Sequence, residues 1–271
     1  MSKVFVIDLK KCCGCYDCQI ACKDEHCEQA WLPYADEQPE IGQFWCRVDE
    51  KERGQVPVVR VSYTPVICAH CDDAFCVNAC REGAFKRRDD GLLLIDPAVC
   101  NGCMDCVNAC PIGAIYFNVE KKIAQKCTGC AHLLDDGWRV PRCVDACPND
   151  AFLYGEESDF EALLKKAEPL PELSAAKPRV YYVNLPKRFV AGALVDYEKD
   201  EVVIGATVDL LDAEGTRILQ AKTDEFGDFL FDQVKPALYK VLLTAQGYRD
   251  VTLEADLTEK DVYLGYIPAL P

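Results

Sequence analysis

Residues 12–22 read CCGCYDCQIAC, and residues 100–111 read CNGCMDCVNACP. Reduced to its cysteines, the first stretch is Cys12-x2-Cys15-x2-Cys18-x3-Cys22, and the second, Cys100-x2-Cys103-x2-Cys106-x3-Cys110, repeats it without change. Two further groups keep the plan with the third thiol delayed: Cys68-x2-Cys71-x4-Cys76-x3-Cys80, and Cys127-x2-Cys130-x12-Cys143-x3-Cys147. Thiols this dense serve a disulfide framework, zinc or an iron–sulfur cluster. The count of 19 is odd, and the opening MSKVFVIDLKKCC lacks an export signal, so disulfides are a poor reading.

Spacing separates the remaining two. Zinc takes its four ligands as two separated pairs, whereas three cysteines within seven residues fit three corners of an Fe4S4 cube. The run with a fourth cysteine three residues on, followed by proline, is the bacterial ferredoxin pattern, in which the fourth thiolate serves the other cluster of a pair. Cys110-Pro111 and Cys147-Pro148 both carry that ending. Four groups of four predict four [4Fe-4S] clusters. Cys13, Cys27 and Cys46 are left over and read as small apolar residues, with Cys13 an alternative to Cys12 as ligand. The histidines His26, His70 and His132 each lie close to cysteines of a group and read as hydrogen-bonding or packing residues, because every group already has four sulfurs.

The chain has 271 residues, half of them apolar, and a net charge of -15. That length suits two domains. The acidity argues against nucleic acid or anionic lipid as partners. No apolar run reaches the ~18 residues of a membrane span, so a cytoplasmic protein without membrane insertion is expected. Lys126, Arg139 and Arg142 beside the fourth group, and Lys86, Arg87 and Arg88 after the second, are candidates for tuning cluster potentials or for docking, against the plain reading of solvated surface charge. No Gly-rich dinucleotide fingerprint is present, so no catalytic residue is assigned.

Within the cysteine-rich part, KVFVIDLKKC and GLLLIDPAVC read as strands running into ligand loops, and GAIYFNVEKKIAQKC as a strand pair. All the cysteines lie at or before Cys147, which marks a domain boundary. ESDFEALLKKAE reads as a short amphipathic helix with Phe160, Leu163, Leu164 and Ala167 on one face, and the Pro-punctuated stretch after it as an extended connector. From Ala191 the apolar period becomes two, and the strands predict a small antiparallel sandwich. The expected organisation is therefore a ferredoxin domain over 1–154, a linker and docking segment over 155–190, and a β-sandwich over 191–271.

The order of the groups, with KCTGCAHLLDDG at 126–137, PRCVDACP at 141–148 and KPRVYY at 177–182, resembles the four-cluster ferredoxin subunits of molybdopterin oxidoreductases of the dimethyl sulfoxide reductase family. Within that family, the DEH at 24–26, the KERG at 51–54 and the added carboxy-terminal β domain resemble the small subunits of pyrogallol-phloroglucinol transhydroxylases. Those small subunits lack ligands of the third group and hold three clusters, whereas Cys100, Cys103, Cys106 and Cys110 are all present here. GATVDLLDAEG and the TDxxGxF turn at Thr223, Asp224, Gly227 and Phe229, with Gly247-Tyr248 after it, resemble prealbumin-like or carboxypeptidase-regulatory-like domains.

The resemblance implies a double ferredoxin-like α+β module, the second (about 60–120) inserted in the first, followed by an all-β sandwich. It also implies the pairing: Cys12, Cys15 and Cys18 with Cys147; Cys127, Cys130 and Cys143 with Cys22; Cys68, Cys71 and Cys76 with Cys110; Cys100, Cys103 and Cys106 with Cys80. The chain would then be the non-catalytic electron-transfer subunit of a heteromeric enzyme, and a large partner subunit would hold molybdopterin guanine dinucleotide with Mo or W. Phenolic aromatics are the substrate class of the transhydroxylase resemblance. An oxyanion or sulfur-compound reductase, a freestanding polyferredoxin, and a scaffold or oxygen sensor are the alternatives, and the β domain is a candidate for higher assembly.

Overall fold

Val4 to Ile7 are buried without a break, which a strand can satisfy only when both faces of its sheet are covered. The computed structural model, which describes residues 3–271, places them in β1 (Lys3–Asp8). Phe5 and Ile7 face the core that contains Cys18, Cys22, Cys68, Cys127 and Cys143, while Val4 and Val6 face a smaller cluster with Val183, Phe160, Leu163 and Leu164. The chain divides into two units, one running to Glu50 and resuming at Tyr63–Leu185, the other Lys51–Ser62 with Pro186–Pro271.

In the first unit β1 is followed by α1 (Asp17–His26), and a long hairpin of β2 (Cys46–Gln55) and β3 (Val58–Ile67) begins and ends there. Next come α2 (Phe75–Ala79), β4 (Phe85–Arg87), β5 (Leu93–Ile95) and α3 (Asp105–Ala109). They are followed by β6 (Ile115–Asn118), β7 (Ile123–Lys126), α4 (Ala131–Asp135), α5 (Arg142–Asp145) and β8 (Phe152–Glu156). The unit closes with α6 (Glu161–Leu164), β9 (Ala167–Glu168) and β10 (Val180–Val183). β4 pairs with β5 and β6 with β7, both antiparallel. α1 packs on α5, and α2 on α3, so the helices carrying the first and fourth groups are neighbours, as are those carrying the second and third.

The expected linker is not one. β10 lies parallel to β1, in a sheet ordered β8-β1-β10-β9, and Val180 and Tyr182 are fully buried. The Tyr182 hydroxyl donates to the Pro65 carbonyl at 2.9 Å. The alternation in RVYYVN is a strand signal that the surrounding prolines obscure. The expected amphipathic helix is also shorter: a 3-10 turn over Glu157–Phe160 leads into the single turn of α6, and Ala167 falls in β9.

The second unit is a sandwich. One sheet centres on β11 (Arg188–Asp196), which pairs antiparallel with β12 (Glu201–Val202) and with β15 (Asp228–Val234), and parallel with β18 (Val262–Pro268). The other has the order β14-β13-β16-β17, built from β13 (Thr207–Leu211), β14 (Arg217–Lys222), β16 (Leu238–Thr244) and β17 (Val251–Asp256). Alternate residues such as Val208, Leu210, Phe229, Phe231, Val241 and Leu243 fill the space between the sheets. The TDxxGxF motif forms a turn in which the Asp224 carboxylate accepts from the amides of Phe226 and Asp228. The sandwich boundary expected at 191 lies instead at Pro186, and residues 51–62 join this unit. Among the described residues no helix is long and apolar enough to cross a membrane.

Candidate iron-sulfur centres

The repeated Cys-x-Gly-Cys-x-Asp-Cys forces a repeated backbone. Gly14 and Tyr16 have φ of 70° and 64°, and Gly102 and Met104 have 75° and 66°. Left-handed residues in such turns gather successive N–H groups into concavities that hold anions. Glycine is required at both places: a Cβ on Gly14 would strike the Tyr63 ring, and one on Gly102 the carbonyl of Lys122.

The folded chain brings thiols together across the sequence groups. Cys68, Cys71, Cys76 and Cys110 line one cleft, and Cys80, Cys100, Cys103 and Cys106 line another. Cys22 lies against Cys127, Cys130 and Cys143; burial first, then the charge of those three, raises its pKa well above that of an ordinary thiol. Cys12 is raised mainly by burial, with Cys18, Cys13 and Cys147 as charged neighbours. Cys15 is exposed in the same loop. Burial likewise pushes Cys71, Cys76 and Cys127 up to about 12 and Cys106 to about 11. Thiols held protonated in this way become thiolates only when a metal compensates their charge, so ligation releases protons.

Whether these residues fit a cluster is tested by the polar groups around them. Backbone N–H groups already donate to sulfur, from Ala114 to Cys110 and Ala124 to Cys100 (both 3.4 Å), Gly129 to Cys127 (3.3 Å) and Ala151 to Cys147 (3.2 Å). His70 lies between Cys68 and Cys71, and Thr128 between Cys127 and Cys130; His70 Nε2 and Thr128 Oγ1 are buried without a partner. The Leu93 amide donates to His70 Nδ1 at 2.9 Å, which leaves the ring proton on Nε2, and burial first of all keeps the imidazole neutral by driving its pKa well down. Unpartnered buried donors are rare, and donors inside ligand loops suit a group rich in sulfur acceptors. The donor set therefore fits [4Fe-4S] clusters. The thiols do not converge on a single metal ion among the described residues.

The other histidines and the basic residues are also placed. His26 is buried against Trp45, and His132 stacks on Trp31 at 4.3 Å with Nε2 3.0 Å from Glu25. Arg87 donates to the carbonyls of His70 and Cys71, Lys86 pairs with Asp96, and Arg142 with Glu25 and Asp145. Arg139 is exposed, but Lys126 is buried, contrary to the surface reading. Cys46, read as packing, is 1% exposed, and its thiol lies beside those of Cys143 and Cys18, which together with burial raise its pKa well above that of an ordinary thiol. Its spacing from the groups carries no signal of this role.

Residues 59–157 match the 4Fe-4S dicluster domain family, and residues 190–264 the carboxypeptidase regulatory-like domain family. Over 97% of both chains, the sequence is 39% identical to the pyrogallol hydroxytransferase small subunit of Pelobacter acidigallici. It is 32% identical to the arsenate respiratory reductase iron-sulfur subunit of a Shewanella species, across 66% of this chain and 94% of that one. With a tetrathionate reductase subunit of Archaeoglobus fulgidus it shares 38% identity, across 67% of this chain and 82% of the other.

Proposed function

Because this chain belongs to the family of iron–sulfur small subunits of molybdopterin oxidoreductases, we propose that it holds four [4Fe-4S] clusters and conducts single electrons to and from a large catalytic subunit. It is the electron-transfer subunit of such an enzyme. The observation that carries the count of four is the crossed grouping of thiols, in which the cleft of Cys68, Cys71 and Cys76 takes Cys110, and that of Cys100, Cys103 and Cys106 takes Cys80. The same rule applied to the outer groups supports Cys147 with Cys12, Cys15 and Cys18, and Cys22 with Cys127, Cys130 and Cys143.

When bound, the clusters supply reversible one-electron chemistry. The chain's own residues do the rest. Ala69, Ala74, Leu93 and Ile115 give the inner cleft an apolar lining, and low-dielectric surroundings strengthen every interaction with cluster charge. The backbone amides of Ala114, Ala124, Gly129 and Ala151 donate to ligand sulfurs, which stabilises negative charge there. Nothing in this chain is assigned to bind substrate. The pterin and its Mo or W belong to the partner, and the similarity to the hydroxytransferase small subunit, which extends through the β-sandwich, supports a phenolic ring as the partner's substrate. Hydroxyl transfer is redox-neutral overall. The complete third group therefore favours a reaction with net electron flow, such as reductive dehydroxylation or oxidative hydroxylation of an aromatic.

Anaerobic purification with the large subunit, followed by iron and acid-labile sulfide analysis, tests this. About sixteen irons per chain are expected for four cubanes. About twelve would leave one group empty, and several zinc atoms in their place would sink the reading.

A further inference from the structure

Lys126, the last residue of β7, is 2% exposed. Its ammonium donates to two backbone carbonyls, those of Leu93 and Cys127, and among the described residues no carboxylate is paired with it. An ammonium taken out of water and given only neutral partners is strongly unfavourable unless negative charge stands nearby. The groups that supply such charge when ligated are thiols. Cys127 follows Lys126 directly in the chain, and Cys76 lines the same cleft as Leu93; these two thiols belong to different cluster sites.

Its two carbonyl partners lead to the same two sites. Leu93 lines the cleft of Cys68, Cys71, Cys76 and Cys110, and its amide donates to the buried His70 in that ligand loop. Cys127 is itself one of the thiols gathered around Cys22. Lys126 thus lies where the inner pair of groups meets the outer pair.

We propose that Lys126 is a shared buried counter-cation for the cluster sites of Cys68/Cys71/Cys76/Cys110 and of Cys22/Cys127/Cys130/Cys143, raising the reduction potential of both above those of the other two sites. The inference rests on the cluster reading above. Adding one electron to a site already anionic is easier beside a fixed positive charge, and the low dielectric of the interior enlarges the effect. No proton and no ligand moves: one site is oxidised by one electron as its neighbour is reduced. Lys126 is a positioning residue in this sense, acting through its field.

The test is a potentiometric titration, followed by electron paramagnetic resonance, of the intact complex carrying Lys126→Met. At a fixed potential, the reduced-to-oxidised ratio of those two clusters should fall about tenfold or more, equivalent to 59 mV for a one-electron couple. The clusters of Cys12 and of Cys100 should move far less, Lys126→Arg should keep the parental potentials, and the exposed Lys121→Met should change none. Unchanged potentials in a Lys126→Met complex with full iron, or an equal shift in all four, would overturn the assignment. If Lys126→Met fails to assemble while Lys126→Arg assembles, the charge is still implicated; if both fail, the residue serves packing and the assignment is wrong. A parent complex lacking the cluster signals would instead fail the electron-transfer reading itself.

Discussion

Arg88 grips Asp135 with both terminal nitrogens, at 2.8 and 2.7 Å, and the Tyr34 hydroxyl donates to the same carboxylate at 2.6 Å. Arg88 follows β4 in the inner pair of groups, and Asp135 ends α4 in the outer pair. The ion pair therefore ties the two modules together. Arg88 first, then Tyr34, lowers the Asp135 pKa to about 2 from an ordinary 3.8. A depressed carboxylate contributes stability above its ordinary pKa and loses it as pH falls towards the depressed value.

Asp135→Asn should accordingly cost about 1 kcal/mol in thermal or denaturant unfolding, the scale of a bidentate pair still partly in solvent. The deficit relative to the parent should be constant from pH 7 down to about 4 and narrow only below that. A deficit already gone at pH 5 to 6 would show that another group carries it.

Much of the fold and of the site is legible in the sequence, because ligand spacing is a local property. Cys-x2-Cys-x2-Cys dictates its own turn, and the glycines and left-handed residues that the turn needs lie within it. What the sequence hides depends on distant partners. Lys126 looks like a surface lysine until β7 buries it against Leu93, and Cys46 looks like a spare thiol until β2 sets it between Cys18 and Cys143. The segment 155–190 looks like a linker because its prolines are visible in the sequence, whereas the edge of β1 that β10 completes is not.

The crossing of fourth ligands makes a prediction about signals. Cys22→Ser and Cys130→Ser should remove the same reduced-state resonance, and so should Cys71→Ser and Cys110→Ser. Cys22→Ser and Cys12→Ser should remove different ones. If Cys22→Ser instead matched Cys12→Ser, each sequence group would be holding its own cluster.

Cys46 should tune without ligating. A weak S–H donor beside two ligand sulfurs stabilises their negative charge, so Cys46→Ala should lower the potentials of the clusters containing Cys143 and Cys18, by on the order of 1 kcal/mol shared between them. Cys46→Ser, which keeps a donor, should recover the loss. Iron content should not change in either variant, and a loss of iron would mark Cys46 as a ligand.

The last prediction concerns the β-sandwich, which contains no cysteine. Phe189 is fully buried in that unit, with the guanidinium groups of Arg53 and Arg60 5.9 and 5.8 Å from its ring centre. Arg53 also donates to the Lys187 carbonyl at 2.5 Å, and Arg60 pairs with Asp232 at 2.8 Å. The tip of the β2–β3 hairpin thus folds with the sandwich, and a chain simply cut after Leu185 would leave residues 51–62 without their partners. Phe189→Ala should cost about 3–5 kcal/mol in unfolding of the sandwich and free the hairpin tip for proteolysis. A chain ending at Leu185, with residues 51–62 replaced by a short turn, should still take up the full complement of iron, since every candidate ligand lies in the first unit. Its assembly with the large subunit, or into higher oligomers, should weaken. Loss of iron from that shortened chain would mean that the sandwich protects the cluster core; full iron with unaltered assembly would leave the sandwich without the docking role expected of it.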